Sequence, residues 1–211
     1  MLGSGASMGF IDPKFFDGKL TIGTNNIWKY FKVDYSLFKH EQYIPEAYKS
    51  SKSKIIASLH DCGDLGHPKN ESLLVDYVFT HKRGRFESLE EHFQENLDAV
   101  GQDDDIFVSY STITSCIHIA AYMGAKNIIL CGHDCGYLDG VSHVKEYADH
   151  IKEFHKEGFI DYHNMWFERV SEDTRRLKAK LIEVYRCNIY SLNPFINFRL
   201  EGHKFSEKLP S

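Results

Sequence analysis

The chain has 211 residues, 42% of them apolar, and a formal net charge of −5. That length suits one α/β domain rather than two, and the negative charge argues against a broad nucleic-acid surface. No apolar run approaches the roughly 20 residues of a membrane helix, no secretory signal pattern opens the chain, and the five cysteines (Cys62, Cys116, Cys131, Cys135 and Cys187) are odd in number and scattered, so a reduced, cytoplasmic setting is the expectation.

The first element is a Gly/Ser loop, "GSGAS" at Gly3, Ser4, Gly5, Ala6 and Ser7, preceded by only Met1 and Leu2. Such loops follow strands and bring successive N–H groups close to an anion; without a strand before it, a loose terminus is the competing reading. Next comes a strand at 20–24, "LTIGT", ending in Thr24, Asn25 and Asn26, and a helical stretch at 25–31. Asn25 at a strand's carboxyl end suits either a ligand contact or a helix N-cap. Asp34, in "VDY", is a candidate acceptor for a ligand hydroxyl.

A helical pattern at 41–49 leads to a β-branched run at 54–59, then a Gly/Asp/His-rich loop and a strand at 73–79. A helix at 87–98 and a strand at 105–110 follow. The most informative stretch is "STITSCIHIAAYMGAKNIILCGHDCGYLDGVSH". It predicts a helix over 112–123, with Thr114 and Ser115 offering hydroxyls and N–H groups at its positive end. A strand over 127–132 follows, with Asp134 at its carboxyl edge, while His118 is expected on the packed face of the helix. Cys131, His133 and Cys135 do not make a zinc motif, because no second ligand pair accompanies them.

Residues 138–167 have weak periodicity and many His and aromatic side chains, which predicts an irregular lid. Within it His143, His150, His155 and His163 are candidate general bases. Lys145, Arg169, Arg175 and Arg176 are cations that could neutralise a phosphate or carboxylate; for Arg175 and Arg176 a charged helix face is the alternative. The last helix is expected over 168–185, opening near Ser171 with Glu172 and Asp173 in its first turn. A final strand is expected at 187–192. Strand–helix alternation throughout predicts an α/β fold: one Rossmann-like three-layer sandwich over 1–211, with a mostly parallel central sheet.

The segments "GSGAS…IDPKFF…LTIGTNNIW…VDYSLF" and "GHDCGYLDGVSH" resemble a superfamily that includes the motility accessory factors implicated in flagellin glycosylation and archaeal 6-hydroxymethylpterin diphosphokinase-like proteins. The segments "TITS…MGAKNIILCGHD" and "SLF…EQY" are similar to bacterial sialyltransferases that use CMP-sialic acid. The resemblance spans roughly residues 2–147 and 170–195. It implies that Gly3, Ser4, Gly5, Ala6, Ser7 and Asn25 hold the CMP part of a donor. It implies that Thr114 and Ser115 lie near that donor, and that Asp134 and Tyr137 match an Asp and a phosphate-binding Tyr. His143 matches a His of the motility-factor motif. Asp34 stands where the transferases have an Asn, and Cys116 where they have a Gly. The position of their general base falls near Arg169, which makes His163 the nearest histidine.

Three functions follow as expectations. The first is glycosyl transfer from a nucleotide sugar, a sialic-acid-like CMP-sugar, to a glycan or protein acceptor, with His163 or His143 as base and no tightly bound cofactor. The second is Mg²⁺-dependent diphosphate transfer to a pterin alcohol, with Asp34, Asp134 or Asp139 near the metal. The third is non-catalytic nucleotide binding. No membrane span and no nucleic-acid partner are expected.

Overall fold

Short β-branched runs, too brief to be stable alone, become a sheet here by sharing a single short strand at its centre. A computed structural model of the chain describes residues 1–39, 43–60, 74–81, 89–102, 105–109, 111–138, 141, 143–144 and 159–192. Four strands pair in parallel in chain order: β1 (Ile22–Thr24), β2 (Tyr35–Phe38), β3 (Lys54–His60) and β4 (Tyr77–His81). Two more, β5 (Asn127–Cys131) and β6 (Asn188–Leu192), also pair in parallel. Leu2 bridges Gly23 on one side and Cys131 on the other, both in parallel.

Its neighbours complete the join. The Leu2 N–H donates to the Ile22 carbonyl (2.8 Å) and the Gly3 N–H to the Cys131 carbonyl (2.8 Å). The Thr24 N–H returns a bond to the Leu2 carbonyl (3.1 Å). Residues 1–3 therefore do the work of a strand, and the order across the sheet is β6, β5, residues 1–3, β1, β2, β3, β4.

Strand alternation divides the core into two faces. Leu37 of β2, Ile56 of β3 and Ile128 and Leu130 of β5 pack with α2 (Leu89–Ala99), α3 (Thr112–Tyr122) and α4 (Phe159–Tyr185) through Phe93, Leu97, Ile117, Leu177 and Leu181. Their neighbours point the other way. Phe38, Ile55 and Ala57 meet Ile44 and Ala47 of α1 (Ile44–Ser50), while Leu2 and Cys131 meet Met8, Ile27, Phe31 and Val144. The fold is thus α/β with a mostly parallel central sheet, as the alternation of elements predicts.

Three local expectations are corrected, and one further strand is found. Tyr35–Phe38 is a strand, since its Leu37 and Phe38 bury on opposite faces. The stretch at 25–31 is a short 3-10 turn, Asn25–Lys29. Residues 105–109 join no strand among the described residues, though Ile106 N–H donates to the Thr80 carbonyl (2.9 Å) beside β4. The last helix begins at Phe159, twelve residues before Ser171, so 159–167 is helical rather than irregular. Asp173 is then mid-helix, not in a first turn, and fully buried. The lid residues 139–140, 142 and 145–158, with His150, His155 and Lys145, lie outside the described residues. No helix among the described residues is long and apolar enough to cross a membrane.

Candidate functional site at the carboxyl edge

After residues 1–3 the chain lays β1 to β4 down on one side, and later β5 and β6 on the other. The order reverses between residues 1–3 and β5, and open parallel sheets bind ligands outside the carboxyl ends of their strands at such a point. At that edge stand Gly3–Ser7, Asn25 and Asn26 after β1, Lys39 after β2, and Gly132–Asp134 after β5.

The Gly/Ser loop is tightly held. Gly5 N–H donates to the Gly132 carbonyl (2.8 Å), and Val144 N–H donates to the Ser4 carbonyl (2.8 Å). His143 pairs with Gly5 in an antiparallel bridge. Asp134 accepts from the Ser7 N–H (2.8 Å) and from the Ser7 hydroxyl. A Cβ on Gly5 would collide with the Asp134 carboxylate, and one on Gly3 with the Gly132 carbonyl. These glycines permit the close approach that the sequence suggests, but the anion that approaches is the chain's own Asp134. Burial pushes the Asp134 carboxyl above its ordinary range, and the two Ser7 bonds oppose that shift. Ala6 is buried in the same turn.

Asn25 takes a left-handed backbone, φ 50°, a conformation Asn tolerates better than other residues with a side chain. Among the described residues, the side-chain oxygens of Asn25 and Asn26 are buried without a hydrogen-bond partner, and so is the hydroxyl of Ser115, itself fully buried. Buried polar groups are nearly always paired, so three orphans here are a signal. Lys39, which the sequence does not single out because the strand before it is not legible there, is half-buried at the same edge. Its Nζ donates to the carbonyls of Ser109 (3.3 Å) and Ser111 (3.4 Å), and burial lowers its pKa to about 8.

The N-cap of α3 is Ser111, whose hydroxyl accepts from the Ile113 N–H (3.4 Å). Thr114 is inward and engaged: its hydroxyl donates to the Ser111 carbonyl (2.6 Å) and pairs with the Ser109 hydroxyl (2.9 Å). His118 is on the packed face as expected. Its Nδ1 accepts from the Phe107 N–H (2.9 Å), which leaves Nε2 as the protonated nitrogen facing the Tyr185 hydroxyl (3.2 Å).

Asp34 does not belong to this edge. It precedes β2, at the amino end of the sheet, where its carboxylate accepts from the Thr21 N–H (2.7 Å) and the Thr21 hydroxyl (2.8 Å). The structure therefore places Asp34 apart from the carboxyl-edge residues, with one carboxylate oxygen closing the β1–β2 connection. Tyr137 packs edge-on against Phe167, ring centroids 5.4 Å apart. The backbone of His163 lies in α4, but its side chain is outside the described residues, as is all of Asp139.

The cations of α4 are engaged. Arg169 bridges Asp173 (3.0 Å) and Glu90 (2.7 Å), Arg176 pairs with Glu90 (2.6 Å), and Arg175 with Glu172 (3.4 Å). The guanidinium groups of Arg169 and Arg176 also lie over the Phe93 ring. Burial raises Asp173 to about 6, against the pull of Arg169. His133 is lowered by burial to about 4. Its Nε2 donates to the Thr174 hydroxyl (2.9 Å), because that hydroxyl gives its own proton to the Val170 carbonyl (2.7 Å).

Among the described residues no group of three His, Cys, Asp or Glu side chains could hold a metal ion. Fold and site together define a parallel α/β protein with buried polar side chains gathered at the carboxyl edge of its switch point. No protein-family model matches the chain, and neither does any curated protein or solved structure.

Proposed function

We propose that the chain is a nucleotide-sugar transferase that takes a CMP-type donor into the carboxyl-edge crevice. One observation carries the reading. Asn25 is held in a left-handed conformation at the end of β1, with its amide oxygen buried and unpartnered, beside the equally unpartnered Asn26. Residues kept in sparsely populated backbone conformations cluster at ligand sites, and two orphan acceptors suit the hydroxyls of a ribose or the amine of a base.

In this reading the positive end of α3 faces the donor phosphate. His143, laid against Gly5, takes the proton from the acceptor hydroxyl as its oxygen bonds to the anomeric carbon. The bond from that carbon to the phosphate oxygen breaks, and CMP leaves with the electron pair. His163 is the second candidate for the same role.

The test is a thermal-shift series with CMP, CDP, UDP-sugars and ATP with Mg²⁺. Stabilisation by CMP and its loss in Asn25→Gly support the proposal. A response only to ATP with Mg²⁺ moves the chain to diphosphate transfer, and an unchanged CMP response in Asn25→Gly removes the proposed pocket.

A further inference from the structure

Several charged side chains around the sheet have an opposite charge beside them. Lys29 pairs with Glu46, Lys54 with Asp76, and Arg169 and Arg176 with Glu90. Lys39 has no carboxylate among the described residues. Its ammonium carries three donors, and its partners are two backbone carbonyls at 3.3 and 3.4 Å, both at the long end of the hydrogen-bonding range.

Its place makes this costlier. Ser111 caps α3, so the ammonium sits at the end of an eleven-residue helix where the partial charge is already positive. A half-buried cation at a positive helix end, with no carboxylate beside it among the described residues, is an arrangement that an anion would relieve. A second, separate observation lies one turn along. Ser115 is four residues from Ser111 and so shares its face of the helix, and a helical side chain leans towards the N-terminus. Its hydroxyl is fully buried and has no partner among the described residues.

The neighbouring strand supplies the other half of the ligand. Thr24 of β1 pairs with Leu37 of β2, so Asn25–Asn26 and Lys39 leave the sheet side by side. The asparagine oxygens need donors; the lysine and Ser115 can give protons to acceptors.

We propose that Lys39, with the Ser115 hydroxyl and the first turn of α3, holds a phosphoryl group of the ligand, while Asn25 and Asn26 accept from its hydroxyl or amino groups. The assignment rests on the nucleotide reading for the second half and stands without it for the first. It also separates this site from the Gly/Ser loop, whose anion position is filled by Asp134.

Calorimetric titration of the whole chain with CMP, cytidine and inorganic pyrophosphate tests it, on the native sequence and on Lys39→Gln and Lys39→Arg. The native chain is expected to prefer CMP over cytidine by about tenfold or more, the scale of a charge-assisted hydrogen bond. Lys39→Gln should erase that preference without weakening cytidine, and Lys39→Arg should keep part of it. Equal CMP binding in Lys39→Gln overturns the proposal and leaves the nucleotide reading standing. Pyrophosphate binding that Lys39→Gln abolishes, with no response to cytidine or CMP, upholds the phosphoryl site and removes the nucleotide. A native chain that binds neither CMP nor pyrophosphate overturns the site. If Lys39→Gln does not fold, acylation of Lys39 in the native chain gives the answer: protection by pyrophosphate supports the site, and unchanged labelling sinks it.

Discussion

The two edges of one sheet use similar residues to opposite ends. At the amino edge, one carboxylate oxygen of Asp34 accepts from both the N–H and the hydroxyl of Thr21, and the Asp34 N–H donates back to that hydroxyl. At the carboxyl edge, Asn25, Asn26 and Ser115 keep buried oxygens unsatisfied, and Lys39 keeps a charge without a counter-charge among the described residues. The first arrangement maximises stability; the second leaves stability unclaimed, as binding sites commonly do.

The largest expected effect comes from the one place where the carboxyl edge is as tightly closed as the amino edge. Gly5→Ala would drive a Cβ into the Asp134 carboxylate. Overpacking with displacement of a buried charged acceptor should cost about 3 kcal/mol, read as a fall in the urea midpoint. A variant of native stability would show that the loop is looser than its hydrogen bonds indicate.

Next in size is the buried histidine at the end of β5. His133 titrates at about 4 when folded against 6.5 ordinarily. The unfolded chain therefore binds more protons across that interval, and stability is lost as pH falls through it, by about 3 kcal/mol in full. Asp173, raised to about 6, acts in the opposite sense, because the folded chain keeps its proton longer and stability falls as pH rises from about 4 to 6. The two slopes oppose each other in the native chain. His133→Gln should leave the Asp173 slope alone, so unfolding free energies measured from pH 4 to 6.5 should decline towards higher pH.

Asp34→Ala tests the other edge. Losing two partly buried hydrogen bonds should lower stability by about 1 kcal/mol and leave any nucleotide response unchanged; a lost response would bring Asp34 back to the site. The smallest stability effect is expected at the most important position. Asn25→Gly keeps the left-handed backbone and removes only the amide, so stability should move by about 0.5 kcal/mol or less while the response to CMP disappears.

Much of the fold was legible because β-branched runs such as "KIIASL" and "NIILCG" bury by alternation. "YSLF" was not, since it lacks β-branched residues and only the sheet reveals that Leu37 and Phe38 face opposite cores. The start of α4 was hidden because the aromatic-rich stretch at 159–167 has weak helical periodicity. That error also put Asp173 in a first turn instead of mid-helix. At the site, Gly3 and Gly5 announced a close approach, but not what approaches: Asp134 lies 127 residues from Ser7, beyond any local pattern. The place of Asp34 was hidden for the same reason, its partner Thr21 being thirteen residues back. Lys39 escaped notice because a cation is informative only once the absence of a nearby carboxylate is known.

The three residues that join the half-sheets also set how the protein comes apart. Among the described residues, the backbone ladder between the four strands on one side and the two on the other runs through the rungs that Met1, Leu2 and Gly3 make with Ile22, Thr24, Ile129 and Cys131, while the helices pack across both sides. This seam passes directly beneath the switch point. If it opens before either half melts, the molecule behaves as two cooperative units, and the amides of Leu2, Gly3 and Cys131 exchange with solvent together and ahead of the strands beside them. A ligand spanning from Asn25 across to the β5 side would then act as a clasp, slowing exchange at amides it never touches.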